Sequence, residues 1–248
     1  MTLTQIRARF RQDQVLTSTT VISVADADIL LNEGALDMNK RAKVLRMSGT
    51  FNTVASQQTY VLSGASPVLT NFLEIDWETG GLIYTQSSGV VKTSPNHFTV
   101  KSESWLDLHL PGWQTASASD TVSHVYLSYN SSGYLVLGQH PKPSTTTPSW
   151  KVYFTGRGTD MSAGGDYPWV TGAQLTHMEP HHKGIVYYAQ WKAHELRTFM
   201  EKEAQKYMEL YLAECEMARE TMDQLFDAEI MGTRREAQVY AGQTFGGR

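Results

Sequence analysis

The chain has 248 residues, 41% of them hydrophobic and 19% charged, which gives room for a sizeable core and excludes wholesale disorder. Lysine and arginine total 21 against 25 acids, a formal charge of −4. That balance excludes gripping nucleic acid by phosphate neutralisation but allows enclosing DNA without holding it. One cysteine, Cys215, excludes an intrachain disulfide and a thiolate metal cage. It falls in a helical pattern, where it reads as a small buried hydrophobe. The opening MTLTQIRARFRQ has no apolar signal-peptide core, and no apolar run reaches the ~18–20 residues of a membrane span. The expectation is a soluble protein made in the cytoplasm, with no membrane partner.

Residues 1–46 read as helices. Leu3, Ile6 and Phe10 form a narrow apolar stripe among Arg7, Arg9 and Arg11, and the polar stretch Thr17 to Thr20 ends it. Ser23 with Asp26 three residues on resembles a capping box. Leu31, Ala35, Met38, Ala42 and Leu45 then recur at spacings of four and three, on one helical face.

Residues 47–160 change to period two and predict an antiparallel β subdomain of six to eight short strands. The stretch from Ser48 to Ser63 reads as a strand pair. LEIDW and GLIYT, separated by Gly80 and Gly81, read as a hairpin. HVYLSY and YLVL flank the turn Asn130-Ser131-Ser132-Gly133, and KVYFT is one more strand. The proline-bearing stretch from His140 to Pro148 cannot be a central strand.

Residues 161–231 read as a loop followed by long C-terminal helices that pack with the N-terminal ones. From Ile185 to Met231 there is neither glycine nor proline, and apolar residues recur three or four apart. A straight helix of that length spans roughly 70 Å at 1.5 Å per residue, so it kinks near Glu201-Lys202-Glu203 or projects to meet something. Residues 232–248 carry three arginines against one glutamate, are rich in glycine and lack periodicity. They read as a flexible arm, either plain disorder or a segment that orders on a partner through Tyr240 and Phe245. The fold class expected is α+β: a helical bundle from both chain ends, an inserted antiparallel β-rich subdomain, and an extended C-terminal arm.

Candidate chemistry is sparse. His177, Glu179, His181 and His182 could offer metal ligands, but Pro180 imposes a helix start and no HExxH spacing is present. The glycines of GRGTDMSAGG follow a strand but have no lysine at a helix start behind them, so they do not make a phosphate loop. Glu74, Asp76 and Glu78 alternate as on a solvated strand. Trp105 and Trp113 could stack on sugars, or anchor a core. The residues predict no catalytic site, no metal and no cofactor.

The order of elements carries more. ADILLNEGALDMNKRAKVLRMSGTFNTVASQQTYVLS resembles the N-terminal signature of tailed-bacteriophage head-to-tail adaptor proteins: a helix with an Asn-x-Gly/Ala core, a strand, then a Gln/Tyr hairpin. Asn32, Gly34 and Ala35 match the helix core, and Gln57, Tyr60 and Leu62 the hairpin. Ser56 and Ser63 stand where the family has a turn glycine and a proline. Phe72 to Ile75, Trp105-Leu106-Asp107, Pro111-Gly112-Trp113, Leu135 to Leu137 with Pro141 and Pro143, Lys151 to Phe154, Asp166-Tyr167-Pro168 and Tyr187-Tyr188-Ala189 follow in the family's order. The resemblance implies a structural virion protein without enzymatic activity. Such proteins form a ring, usually twelve-fold, beneath the portal, extend the DNA channel, and dock the next tail or stopper component. It also implies that residues 232–248 insert against the portal. On that reading Arg234 and Arg235 meet acidic portal surface, Tyr240 and Phe245 fill apolar pockets, and Arg248 belongs to the same docking set. The alternative from another class is a β-rich carbohydrate- or receptor-binding module.

Overall fold

A computed structural model describes residues 1–12, 22–64, 67–78, 80–94, 96–170, 175–196 and 201–242, with side chains through residue 225. The stretch from Thr17 to Thr20 lies outside them. The helices are α1 (Leu3–Phe10), α2 (Val24–Ala42), α3 (Glu103–His109), α4 (His182–Glu195) and α5 (Glu201–Gly242). The strands are β1 (Arg46–Asn52), β2 (Thr59–Val61), β3 (Phe72–Ile75), β4 (Leu82–Thr85), β5 (Val91–Thr93), β6 (Thr99–Lys101), β7 (His124–Tyr129), β8 (Leu135–His140) and β9 (Ser149–Gly156). The protein is therefore α+β. It divides into two compact units, Met1–Leu45 with Gly158–Arg248, and Arg46–Arg157.

The first unit is helical. Thr2 and Gln5 close a capping box on α1, each side chain bonding the other's backbone amide. Ser23 caps α2, its Oγ accepting from the Asp26 amide at 3.1 Å. α4 packs against α1, α2 and α5, and α2 also meets α5. Leu3, Ile6, Phe10, Leu31, Met38, Ile185, Ala189 and Tyr211 are all fully buried in their shared core.

The long apolar run does not make one helix. α5 turns back along α4: the Tyr207 ring stacks on His194, Tyr211 meets Tyr188 edge-on, and Glu214 reaches His181. A single rod would leave the stripes of Ile185-Ala189-Ala193 and Ala204-Tyr211-Cys215-Ala218 in water, whereas folding back lets each cover the other. α4 ends at Glu195, and α5 begins at the charged stretch Glu201-Lys202-Glu203. At its far end α5 continues to Gly242, beyond the point where an arm is expected to begin at residue 232. Gly232 costs a helix only about 1 kcal/mol, and Arg234 to Gln238 are good helix formers, so loss of apolar periodicity there is not loss of helix.

The second unit holds two sheets. One runs β1-β9-β4-β5 with β3 also on β9, and the other runs β2-β8-β7-β6. Trp150 is fully buried in its main core, against Tyr84 and edge-on to Phe98, with its indole N–H donating to Gln139 Oε1 at 2.7 Å.

The topology corrects four expectations. First, β3 and β4 do not form a hairpin with each other but pair with successive stretches of β9. Gly80 and Gly81, at φ 125° and 57°, carry the chain around a loop between them. The loop closes where the Gly81 amide donates to the Asp76 carbonyl. Second, β1 and β2 join different sheets, so the Ser48 to Ser63 stretch is no strand pair. Third, β6 and β7 run parallel, so the subdomain is not wholly antiparallel. Fourth, there are nine strands among the described residues; β5 and β6, three residues each, are too short to show a period. The β7–β8 hairpin is as expected, with Asn130 Oδ1 accepting from the amides of Ser132 and Tyr134.

Candidate functional site

The residues of the adaptor-like signature converge on one task in the helical unit, which is to fix a loop onto α2. Asn32 Oδ1 accepts from the Met161 amide at 2.8 Å while its Nδ2 donates to the Met161 carbonyl at 3.1 Å. The Ala35 carbonyl accepts from the buried Trp169 indole at 2.7 Å. Gly34 lies under α4, where an added Cβ would come within 3.1 Å of Tyr188 and of the Ile185 carbonyl. Asp166 accepts from the amides of Ser162 and Ala163, which hold its carboxyl below the usual range. The glycine-rich loop is thus a structural strap.

In the β unit, Tyr60 accepts from the Val54 amide and donates to the Gln57 carbonyl. It closes a turn in which Ser56 sits at φ 64°. Trp113 is buried and donates to Asp107 at 2.8 Å, and Trp105 stacks on His109 and lies under the Lys101 ammonium. Neither tryptophan is a bare sugar platform. Asp76 is buried rather than solvated, with Arg46 3.9 Å away, while Glu74 stays outside the core.

The histidine cluster serves the root of α5. His181 Nδ1 lies 2.7 Å from Glu214 Oε1, and its Nε2 lies 3.0 Å from Thr221 Oγ1. Lys183 Nζ approaches the other Glu214 oxygen at 3.1 Å, so this buried carboxylate has two basic partners. His182 is fully buried with Nδ1 2.6 Å from the Met1 amine. Burial, then the Met1 ammonium and His181, hold its imidazole down at about 3, so it is neutral and accepts there. Among the described residues no three metal-ligating side chains stand together. A second polar knot ties α5 to α2: the Tyr211 hydroxyl donates to Asp37, which also holds Arg41 at 2.6 Å. Burial first, and then Cys215 and Asp37, push the Tyr211 phenol well up. Burial likewise raises the Cys215 thiol to about 11, which makes it unreactive.

Two surface features were not anticipated from sequence. A cleft of about 410 Å³ opens between α1, α4 and α5 and includes Arg9, Gln12, Lys183 and Gln190 in its lining. On the outer face of α5, Leu210, Leu212 and Met217 are 37%, 37% and 44% exposed among the exposed Glu209, Glu216 and Glu220. Only the second had a sequence signal, a leucine and a methionine outside the buried register.

Of the expected docking residues, Arg234, Arg235 and Tyr240 lie on the backbone of α5, beyond the described side chains. Phe245 and Arg248 lie outside the described residues. Among those residues, no helix is long and apolar enough to cross a membrane.

No curated protein matches the chain. A family model described as SU10 adaptor protein matches residues 1–243, nearly the whole length and both units. The chain belongs to this family of phage head-to-tail adaptor proteins.

Proposed function

We propose that the protein acts in the virion, at the junction of head and tail, as a ring of identical subunits, twelve by the resemblance, that sits beneath the portal. The ring extends the DNA channel, and its far side docks the next tail or stopper component. The match to an adaptor family over residues 1–243 carries this reading. The net charge of −4 supports it, since a conduit must let DNA slide past its wall. So does the organisation of α5: a half rooted by buried polar contacts, followed by helix that continues to Gly242. The role is structural, with no catalysis and no cofactor.

The portal-facing element is the end of the chain, residues 232–248. Arg234, Arg235 and Arg248 supply cations for acidic portal surface, and Tyr240 and Phe245 supply aromatic anchors for apolar pockets. Deleting residues 233–248 removes none of the core residues identified among the described side chains, so the melting temperature should hold while attachment to DNA-filled heads is lost. Heads that accept the truncated protein with full efficiency would place the docking surface elsewhere.

A further inference from the structure

The cleft between α1, α4 and α5 has cationic groups and no carboxylate among its lining residues. α1 and its C-cap residue carry three arginines and no acid. Of these, Arg7 forms a two-bond pair with Asp28 at 2.5 Å and Arg11 reaches the Ile22 carbonyl at 2.6 Å, whereas exposed Arg9 lines the cleft. Lys183 enters from α4 with its ammonium also 3.1 Å from Glu214, so Arg9 is the principal cation of the cleft, and the Tyr187 and Tyr207 rings supply apolar wall.

The outer face of α5 has complementary chemistry. Glu209, Glu216 and Glu220 are spaced by seven and four, one line along the helix, and Leu210 and Met217 run beside them. The buried line Ala204-Tyr211-Cys215-Ala218 faces the opposite way, so this ridge is directed away from the subunit's own core. Tyr207, by contrast, turns toward α4 and the cleft.

We infer that the acidic ridge of α5 in one copy docks into the Arg9–Lys183 cleft of the next copy. Carboxylates meet the guanidinium and ammonium groups while Leu210 and Met217 pack on the tyrosine rings. Each surface is disfavoured from pairing with itself: ridge on ridge brings three glutamates against three, with Lys206 and Arg219 the exposed cations nearby, and cleft on cleft brings Arg9 against Arg9. The contact is therefore head to tail, the type that closes a ring when the rotation per subunit permits. The inference rests on the ring reading above and names the faces that would build it.

The test is charge reversal in the full chain, read by sedimentation velocity over rising concentration. One variant carries Arg9→Glu with Gln12→Glu, and the other carries Glu209→Lys, Glu216→Lys and Glu220→Lys. All five side chains are exposed, and circular dichroism verifies that each variant keeps its helices. Each variant alone should associate about tenfold or more weakly than wild type. An equimolar mixture should recover association, since every contact in an alternating assembly again pairs opposite charges. Wild-type association should also weaken with added salt. The inference is overturned if either variant associates as wild type does, if the mixture stays monomeric, or if the wild type itself never associates. Assembly of the wild type on portal is scored separately in micrographs. A cleft variant that self-associates normally but no longer joins portal or tail would overturn the inference and leave the adaptor reading standing.

Discussion

Glu214 is the residue on which the rooting of α5 depends most. It is 2% exposed and lies on the buried side of the helix beside Tyr211, Cys215 and Ala218. His181 Nδ1 at 2.7 Å and Lys183 Nζ at 3.1 Å supply the donors that an ionised carboxylate needs at that depth. Glu214→Ala leaves His181 Nδ1 buried without its partner, although Nε2 keeps Thr221, while Lys183, 40% exposed, can rehydrate. Truncating a buried carboxylate that bonds His181 and meets Lys183 costs up to about 3 kcal/mol, the upper end for a hydrogen bond to a charged group. Glu214→Gln keeps the shape and a carbonyl acceptor for His181 but drops the charge, so about 1–2 kcal/mol is expected. Guanidinium melts followed by helical circular dichroism measure both. If Glu214→Ala lies within 1 kcal/mol of wild type, or Glu214→Gln costs as much as the alanine, the carboxylate is not what ties α5 to α4. A His181→Ala, Glu214→Ala double-mutant cycle then isolates the pair, with a coupling of at least about 1 kcal/mol expected.

Ser56 holds φ 64° at the position where the family places a turn glycine, so Ser56→Gly relieves left-handed strain and should stabilise the protein by about 0.5–1 kcal/mol in urea melts; a loss would refute the turn assignment. His182 makes the fold acid-sensitive: its imidazole is neutral when folded, down to about 3, but takes up a proton near 6.5 when unfolded. Its contribution is thus complete above 6.5 and is lost as pH falls from there toward 3, about 2 kcal/mol between pH 7 and 5. Melts at those two pH values should show it, and His182→Leu should flatten the difference.

The helices were legible because burial on one face leaves a period. Leu3-Ile6-Phe10 and Leu31-Ala35-Met38-Ala42 mark buried lines of α1 and α2, and Ser23 marks the start of α2. What periodicity could not supply was the break before Glu201, since no glycine or proline stands there and the stripe keeps its phase across it. The β region was legible as strands but not as a sheet order. Period two says which residues share a face and nothing about which strand lies alongside, so the dominance of β9, which pairs with β1, β3 and β4, was hidden. α3 was missed because its only local signal is one capping serine, Ser102, whose Oγ accepts from the Trp105 amide. The buried carboxylate of Glu214 did carry a signal: an acid inside an otherwise apolar register implies a partner. The histidines singled out as ligands included that partner, His181, which bonds Glu214 across the helix–helix contact.

The residues that carry the family likeness and the residues that would carry its function belong to different layers of the molecule. Asn32 holds Met161, Gly34 admits Tyr188, and Ala35 accepts from Trp169; each is a fold contact that a substitution would break from within. Short motifs survive where backbone and side chain must meet at fixed distance, and such places lie in cores and straps. A docking surface is bound by a looser rule. It needs a sign of charge, a line of exposed apolar groups and a helix of sufficient reach, and many sequences meet that rule equally well. Recognition through motifs thus names the scaffold, while recognition through surface chemistry names the faces that the scaffold presents. Arg9 and Lys183 of the cleft and Glu209, Glu216 and Glu220 of the ridge fall outside the motifs that carry the resemblance, although Tyr187 of the cleft wall lies within one. On the proposed reading, that is where contacts between subunits can change while the motifs of the core stay as they are.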